Sequence, residues 1–200
     1  MLEQYLRPVF QTYFVDASIK QSKIVRKLNP NTCTLLGMLV GLASMFAIGL
    51  EYNILATLLV LFSGFLDVFD GSLARFQGNS TQLGTVYDIF SDRVVESAII
   101  LGLFWVAPDE RGWLCLLMLS ATLCCVTSFL VVGIFSDNNT SKSFYYSPGL
   151  IERFEAFVFF IAMILLPDKF LFLATAYILL VSVTAFIRIW EFSKQSNLKR

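Results

Sequence analysis

Residues 53–106 read NILATLLVLFSGFLDVFDGSLARFQGNSTQLGTVYDIFSDRVVESAIILGLFWV. Two apolar stretches, 53–76 and 83–106, flank a short polar turn at Gly78 and Asn79, and each is near the ~20 residues that cross a ~30 Å hydrocarbon core. Yet Asp67, Asp70 and Arg75 lie before the turn, and Asp88, Asp92, Arg93 and Glu96 after it. An ionised side chain inside a bilayer costs about 2.5–3.5 kcal/mol even on the lenient insertion scale, so four uncompensated aspartates would cost on the order of 10 kcal/mol. A hairpin that keeps these residues must offset that cost.

The spacing shows how. Asp67 and Asp70 are i, i+3, and Asp88 and Asp92 are i, i+4, so each pair projects from one face of its helix. In an antiparallel hairpin turning at Gly78-Asn79, Asp70 comes level with Asp88 and Asp67 with Asp92. At 1.5 Å per residue they lie about 9–18 Å along the helices from the turn. Four facing carboxylates repel unless cations sit among them. Two divalent ions would neutralise four charges, and hard oxygen donors favour Mg²⁺ or Mn²⁺ over softer metals. The competing reading, structural ion pairs with Arg75 and Arg93, leaves two arginines against four aspartates. Paired ions suit displacement at phosphorus, where attacking and leaving oxygens both need charge stabilisation. Gly71, directly after Asp70, and Gly84, one turn before Asp88, remove side-chain bulk beside the acidic cavity, although a glycine in a membrane helix more often signals close helix packing. Gly37 and Gly41 are of that packing kind, within the chain or at a dimer contact.

Composition extends the same reading to the whole chain. Of 200 residues, 56% are hydrophobic without counting 11 glycines, against about 45–50% with glycine included in soluble domains. Charged residues make up 15% where roughly 25% is usual, and the mean hydropathy is +0.70. These values predict an all-α integral membrane protein. The 15 basic and 15 acidic side chains cancel, so no overall field recruits nucleic acid. Histidine is absent, which removes Ser/His/Asp and Cys/His nucleophile arrangements and imidazole metal sites. Cys33, Cys115, Cys124 and Cys125 form no C-x-x-C pair and read as packing or lipid-facing residues.

Working outward from the hairpin, spans are expected at 31–50, 53–76, 83–106, 112–135, 149–166 and 170–192, as six helices of one bundle and a single domain over 1–200. Residues 1–29 form an N-terminal interfacial segment: Leu2, Leu6, Val9, Phe10, Tyr13 and Phe14 share one helical face. Glu3, Gln4, Arg7, Pro8 and Gln11 interrupt any cleaved-signal layout, so the first span is expected to be retained. Asn31 or Thr32 is the expected cap of the first span. With the N-terminus inside, ten Lys and Arg outside the spans (Arg7, Lys20, Lys23, Arg26, Lys27, Arg75, Lys142, Lys194, Lys199, Arg200) face two (Arg111, Lys169). That asymmetry places the N-terminus and the Gly78 turn in the cytosol.

Written as a pattern, the hairpin is Asp67-x2-Asp70-Gly71-x2-Ala74-Arg75-x8-Gly84-x3-Asp88-x3-Asp92. Its eight specified positions across 26 residues resemble the complete signature of the CDP-alcohol phosphatidyltransferase family, and Pro30-Asn31-x-x-Thr34 is similar to the family's first-span motif. The resemblance implies transfer of a phosphatidyl group from CDP-diacylglycerol to an alcohol, with release of CMP, by a homodimer. On the family's pattern Asp67, Asp70 and Asp88 bind two divalent ions, and Asp92 touches one of them and acts as the general base. Asn31, Thr34, Gly71, Ala74, Arg75, Thr81 and Gly84 hold the CDP-lipid.

The acceptor is read from the remaining basic residues. Lys142, Arg153 and Arg188 together suit a phosphate, because arginine forks match its oxygens. That favours a phosphorylated alcohol, glycerol 3-phosphate first, as in bacterial phosphatidylglycerophosphate and phosphatidylinositol-phosphate synthases. The alternative pairs Arg153 with Glu152 or Glu155 and Arg188 with Glu191 as snorkelling interfacial charges. Ser143-Phe144-Tyr145-Tyr146 with Gly149-Leu150-x-Glu152 resembles a bacterial subgroup of the family, which implies an inner-membrane setting. A divalent-cation transporter using the same acidic cavity is the competing function, although neither the first nor the fourth span carries an acid to continue an ion path.

Overall fold

Polar residues punctuate this apolar chain where its helices must start and stop. The computed structural model describes residues 25–79, 81–136 and 149–198, with side chains described for 26–79, 81–136 and 149–194. The expected amphipathic helix of residues 2–14 and the predicted acceptor residue Lys142 lie outside them. The chain forms two compact units that divide between Pro108 and Asp109.

In the first unit a 3-10 turn, Val25–Lys27, leads into α1 (Pro30–Gly49), α2 (Asn53–Phe76) and α3 (Gln82–Val106). These bounds lie within one residue of the predicted spans. The cap of α1 differs: Asn29 rather than Asn31 or Thr32 accepts the Asn31 N–H at 3.0 Å. The reason is Pro30, which occupies the first helical position, where a missing N–H costs nothing. A three-residue turn, Leu50 to Tyr52, joins α1 to α2, with Glu51 in the left-handed region at φ 60°. The second turn pivots on Gly78 at φ +68°, a conformation that glycine adopts without a Cβ penalty. Asn79 N–H donates to the Ala74 carbonyl at 3.0 Å, and Thr81 caps α3 by accepting the Gly84 N–H at 3.0 Å.

α1 packs against both other helices through small residues. Ser63 Oγ donates to the Gly37 carbonyl at 2.8 Å, and a Cβ on Gly37 would stand 3.2 Å from that of Leu66. Gly41 faces Val95 in the same way, so both glycines serve contacts within the chain. Gly102 is the tightest against backbone: an added Cβ would lie 2.9 Å from the Met45 carbonyl oxygen and 3.1 Å from its Cα. Helix backbones in lipid approach this closely only where side chains are small. Gly102→Val is therefore expected to lower the melting temperature in detergent, with an overpacking cost of about 1–3 kcal/mol, read by loss of helical circular dichroism on heating.

The second unit holds α4 (Pro108–Phe135), α5 (Arg153–Leu165), a 3-10 turn at Pro167–Lys169 and α6 (Phe170–Leu198). Thr122 Oγ1 and Tyr177 OH hydrogen-bond at 2.9 Å, joining α4 to α6, while Phe159 and Phe160 pack on the Tyr177 ring. Here the predicted boundaries move. The span expected at 149–166 begins its helix only at Arg153, because Glu152 and Glu155 form a reciprocal capping box there. Its 13 residues span about 20 Å at 1.5 Å each. The helices expected at 112–135 and 170–192 run longer, to 108–135 and 170–198.

All four cysteines are free thiols, with Cys33 and Cys115 buried. Among the described residues, four helical segments are long and apolar enough to cross a membrane: Pro30–Gly49, Asn53–Phe76, Pro108–Phe135 and Pro167–Lys194. They present exposed rows such as Leu35, Leu39, Leu58, Phe62, Leu116 and Leu123, which suit acyl chains rather than water. The chain is an integral membrane protein. α3 falls outside the four although it is 25 residues long, because Asp88, Asp92, Arg93 and Glu96 interrupt its apolar run.

Candidate metal centre and nucleotide pocket

The final turns of α2 supply Asp67 and Asp70 and the first turns of α3 supply Asp88, on two helices that each pack against α1 and bring their carboxylates together at the end near the turn. One carboxylate oxygen from each of the three lies within 4.8 Å of the others. Asp70 is buried, at 5% exposure. Like charges at that separation repel by about 3 kcal/mol per pair at an effective dielectric of 20. Three such pairs would add up to nearly as much as the fold's whole margin of stability. A hard cation relieves all three at once, and an all-carboxylate donor set fits Mg²⁺ or Mn²⁺.

Asp92 follows one turn after Asp88 and is not one of the three. Its Oδ2 stands 3.8 Å from Arg93 Nη2, while Arg93 itself grips Glu96, Nη1 to Oε2 at 2.6 Å and Nη2 to Oε1 at 2.9 Å. Arg93, one of the two arginines that a purely structural reading would set against the aspartates, thus pairs most closely with Glu96 and reaches Asp92 only at ion-pair distance.

The residues expected to hold the CDP-lipid gather where the three helices of this unit begin and end. Asn31 and Thr81 line an open cavity of about 510 Å³, together with Arg26, Lys27, Leu28, Asn29, Pro30, Gln77 and Asn79. Gly84 borders it: a Cβ there would lie 3.2 Å from Thr81 Oγ1 and 3.5 Å from Asn31 Oδ1. Thr34 is buried, its hydroxyl donating to the Pro30 carbonyl at 3.1 Å. Gly71 leaves room for the Arg75 guanidinium, whose Nη1 would be 3.4 Å from an added Cβ, and Arg75 Nη2 donates to Ser72 Oγ at 3.2 Å. Ala74 contributes the carbonyl that caps the turn. From Thr81 to Asp88 is seven residues, about 10 Å along α3, so the polar cavity and the carboxylate cluster are served by one helix face.

Several lining residues were not singled out from the sequence. Arg26 and Lys27 figured there only among the charges that set the orientation. Gln77 Nε2 donates to the carbonyls of Arg26 and Leu28 at 2.9 and 2.8 Å, pinning the segment before α1 to the end of α2. A glutamine at a helix end beside Gly78 carries no signal of that reach across 49 and 51 residues.

In the second unit, Arg153 opens α5 with its guanidinium 5.3 Å from the Phe157 ring centroid. Arg188 is buried, at 7% exposure. Its Nη1 donates to the Cys125 carbonyl at 3.2 Å, and its guanidinium lies over Phe129. A Cβ on Gly149 would collide with Thr184 and stand 3.1 Å from Arg188 Nη2, so glycine at 149 is what leaves room for the arginine.

The fold and this site define a helical membrane protein with a carboxylate centre and an adjoining polar cavity at one end of a three-helix unit. The chain belongs to the CDP-alcohol phosphatidyltransferase family, whose model matches residues 27–190. Among curated relatives, the phosphatidylinositol phosphate synthase of Mycobacteroides abscessus is 33% identical over 96 residues, 48% of this chain and 43% of that one. The enzyme of the same name from Mycolicibacterium smegmatis is 30% identical over 151 residues, 71% of this chain and 66% of that one. The matches thus span less than two thirds of either relative. Two crystal structures of Mycobacterium tuberculosis phosphatidylinositol phosphate synthase share the fold at 20% identity. The one with CDP-DAG bound has a TM-score of 0.63 and covers 84% of this chain and 86% of its own. The one in complex with manganese and citrate has a TM-score of 0.64 and covers 84% and 81%.

Proposed function

We propose that this protein transfers the phosphatidyl group of CDP-diacylglycerol to an inositol phosphate and releases CMP. The observation that carries the reading is the convergence of Asp67, Asp70 and Asp88 within 4.8 Å, beside a cavity lined by Asn31 and Thr81. The relatives named above are phosphatidylinositol phosphate synthases. Their name supports inositol phosphate as the acceptor in place of glycerol 3-phosphate.

Asn31, Thr34, Gly71, Ala74, Arg75, Thr81 and Gly84 hold the cytidine and diphosphate, with the acyl chains left in the bilayer. Asp67, Asp70, Asp88 and Asp92 hold two ions of Mg²⁺ or Mn²⁺, which supply charge stabilisation to the phosphoryl oxygens and the leaving group. Asp92 accepts the proton of the acceptor hydroxyl as its oxygen bonds to phosphorus and the bond to the CMP oxygen breaks. Lys142, Arg153 and Arg188 bind the acceptor's phosphate through charge-assisted hydrogen bonds. The six helices are read as spans of one bundle in a homodimer, set in a bacterial inner membrane. The lysine and arginine asymmetry supports a cytosolic N-terminus and active site, which gives a water-soluble nucleotide direct access.

The test is incubation of the purified chain in liposomes with labelled CDP-diacylglycerol, Mn²⁺ and a panel of inositol phosphate, glycerol 3-phosphate, inositol and serine. CMP release with a phosphatidylinositol phosphate product is expected from inositol phosphate alone. Product from glycerol 3-phosphate instead would overturn the acceptor, and Mn²⁺ flux without CMP release would favour the transporter.

A further inference from the structure

Glu96 is a buried acid to which the transfer reaction assigns no role. It lies one turn beyond Asp92 on α3 and is 4% exposed, a depth at which an uncompensated carboxylate is costly. Arg93 compensates it with a hydrogen bond from Nη2 to Oε1 at 2.9 Å and an ion-pair contact of Nη1 with Oε2 at 2.6 Å, a charge-assisted pairing of the stronger kind. The nitrogen that makes the hydrogen bond, Nη2, is also the one 3.8 Å from Asp92 Oδ2. That separation lies within ion-pair range and beyond a hydrogen bond. Neighbouring residues on a helix do not face each other, whereas residues three apart do. Glu96 therefore holds the arm of Arg93 along its own face of α3, and Asp92 meets only the near edge of the guanidinium.

We infer that Glu96 is a positioning residue for Asp92. By gripping both terminal nitrogens of Arg93 it stops the guanidinium short of a direct hydrogen bond with Asp92, so that the Asp92 carboxylate stays available to the divalent ion and the acceptor hydroxyl. The inference rests on the reading of Asp92 given above. Released from Glu96, the guanidinium needs to advance only about 1 Å to reach the 2.7–2.9 Å of a charge-assisted bond. Asp92 would then be tied to an arginine in competition with the metal.

Mn²⁺ titration of the purified full chain in detergent, read by the paramagnetic resonance of the free ion, tests this without turnover. Glu96→Gln keeps the shape and one acceptor oxygen but removes the charge. It is expected to weaken Mn²⁺ binding about tenfold, the size of one charge-assisted hydrogen bond gained by the competing arginine. The double variant Arg93→Gln/Glu96→Gln has no guanidinium left to compete and is expected to bind within about threefold of the unaltered protein. If the unaltered protein binds no Mn²⁺, the metal reading itself fails. If it binds and Glu96→Gln binds equally well, the positioning role alone fails. A double variant as weak as the single one also overturns that role, since a general loosening of α3 would weaken both. Should Glu96→Gln not fold, the double variant decides: near-normal affinity supports the role and a tenfold loss contradicts it.

Discussion

Asp70→Asn is expected to lower phosphatidyl transfer by about 10³-fold while leaving the helices intact. The metal's charge stabilisation is worth several kcal/mol in the transition state, and each 1.36 kcal/mol is a factor of ten in rate. Asp70 is the most buried of the three converging carboxylates named in the candidate centre, and an amide there removes one of the charges that draw a cation in. The same substitution relieves repulsion in the metal-free protein. Metal-free Asp70→Asn should therefore melt at a higher temperature than the metal-free unaltered chain, the opposite of what loss of a structural ion pair would do. Initial rates of CMP release and melting curves with and without Mn²⁺ check both halves.

Asp92→Asn carries the second large effect. A positioned general base contributes about 10²–10⁴-fold, and asparagine cannot take the proton of the attacking hydroxyl. Turnover is expected to fall by that factor, with binding of CDP-diacylglycerol retained because Asn31, Thr81 and the cavity they line are untouched. Asp92 stands apart from the 4.8 Å cluster, so Asp67, Asp70 and Asp88 should still hold Mn²⁺, about tenfold more weakly for want of the fourth carboxylate. A variant with undiminished turnover would take the proton away from Asp92.

Most of the first unit was legible in the sequence because two periodicities agreed there. Runs of apolar residues near membrane length set α1, α2 and α3, and the i, i+3 spacing put Asp67 and Asp70 on the face that Asp88 joins, whereas Asp92, expected level with Asp67, stands outside that cluster. Gly78 and Thr81 marked the turn between them through backbone chemistry that few other residues provide. The cap of α1 was missed because Asn29 and Asn31 both offer a capping oxygen, and only Pro30's need for the first helical position separates them. In the second unit the apolar run at 149–166 hid the capping box of Glu152 and Glu155, since two glutamates near an interface read equally well as snorkelling charges. The clamp of Arg93 on Glu96 was also invisible: an i, i+3 pair predicts proximity, but not that Arg93 would stop at 3.8 Å from Asp92. Gln77 reaches across long sequence separations to the carbonyls of Arg26 and Leu28, and no local pattern encodes such a contact.

Anomalous diffraction at the manganese edge, from crystals of the full chain grown with Mn²⁺, bears most directly on the carboxylate centre. The expected map shows manganese peaks bonded to the Asp67, Asp70 and Asp88 carboxylates at the end of the α2–α3 hairpin, with Asp92 touching one of the ions. A map with no peak there, or with those side chains directed away from one another, would contradict the account.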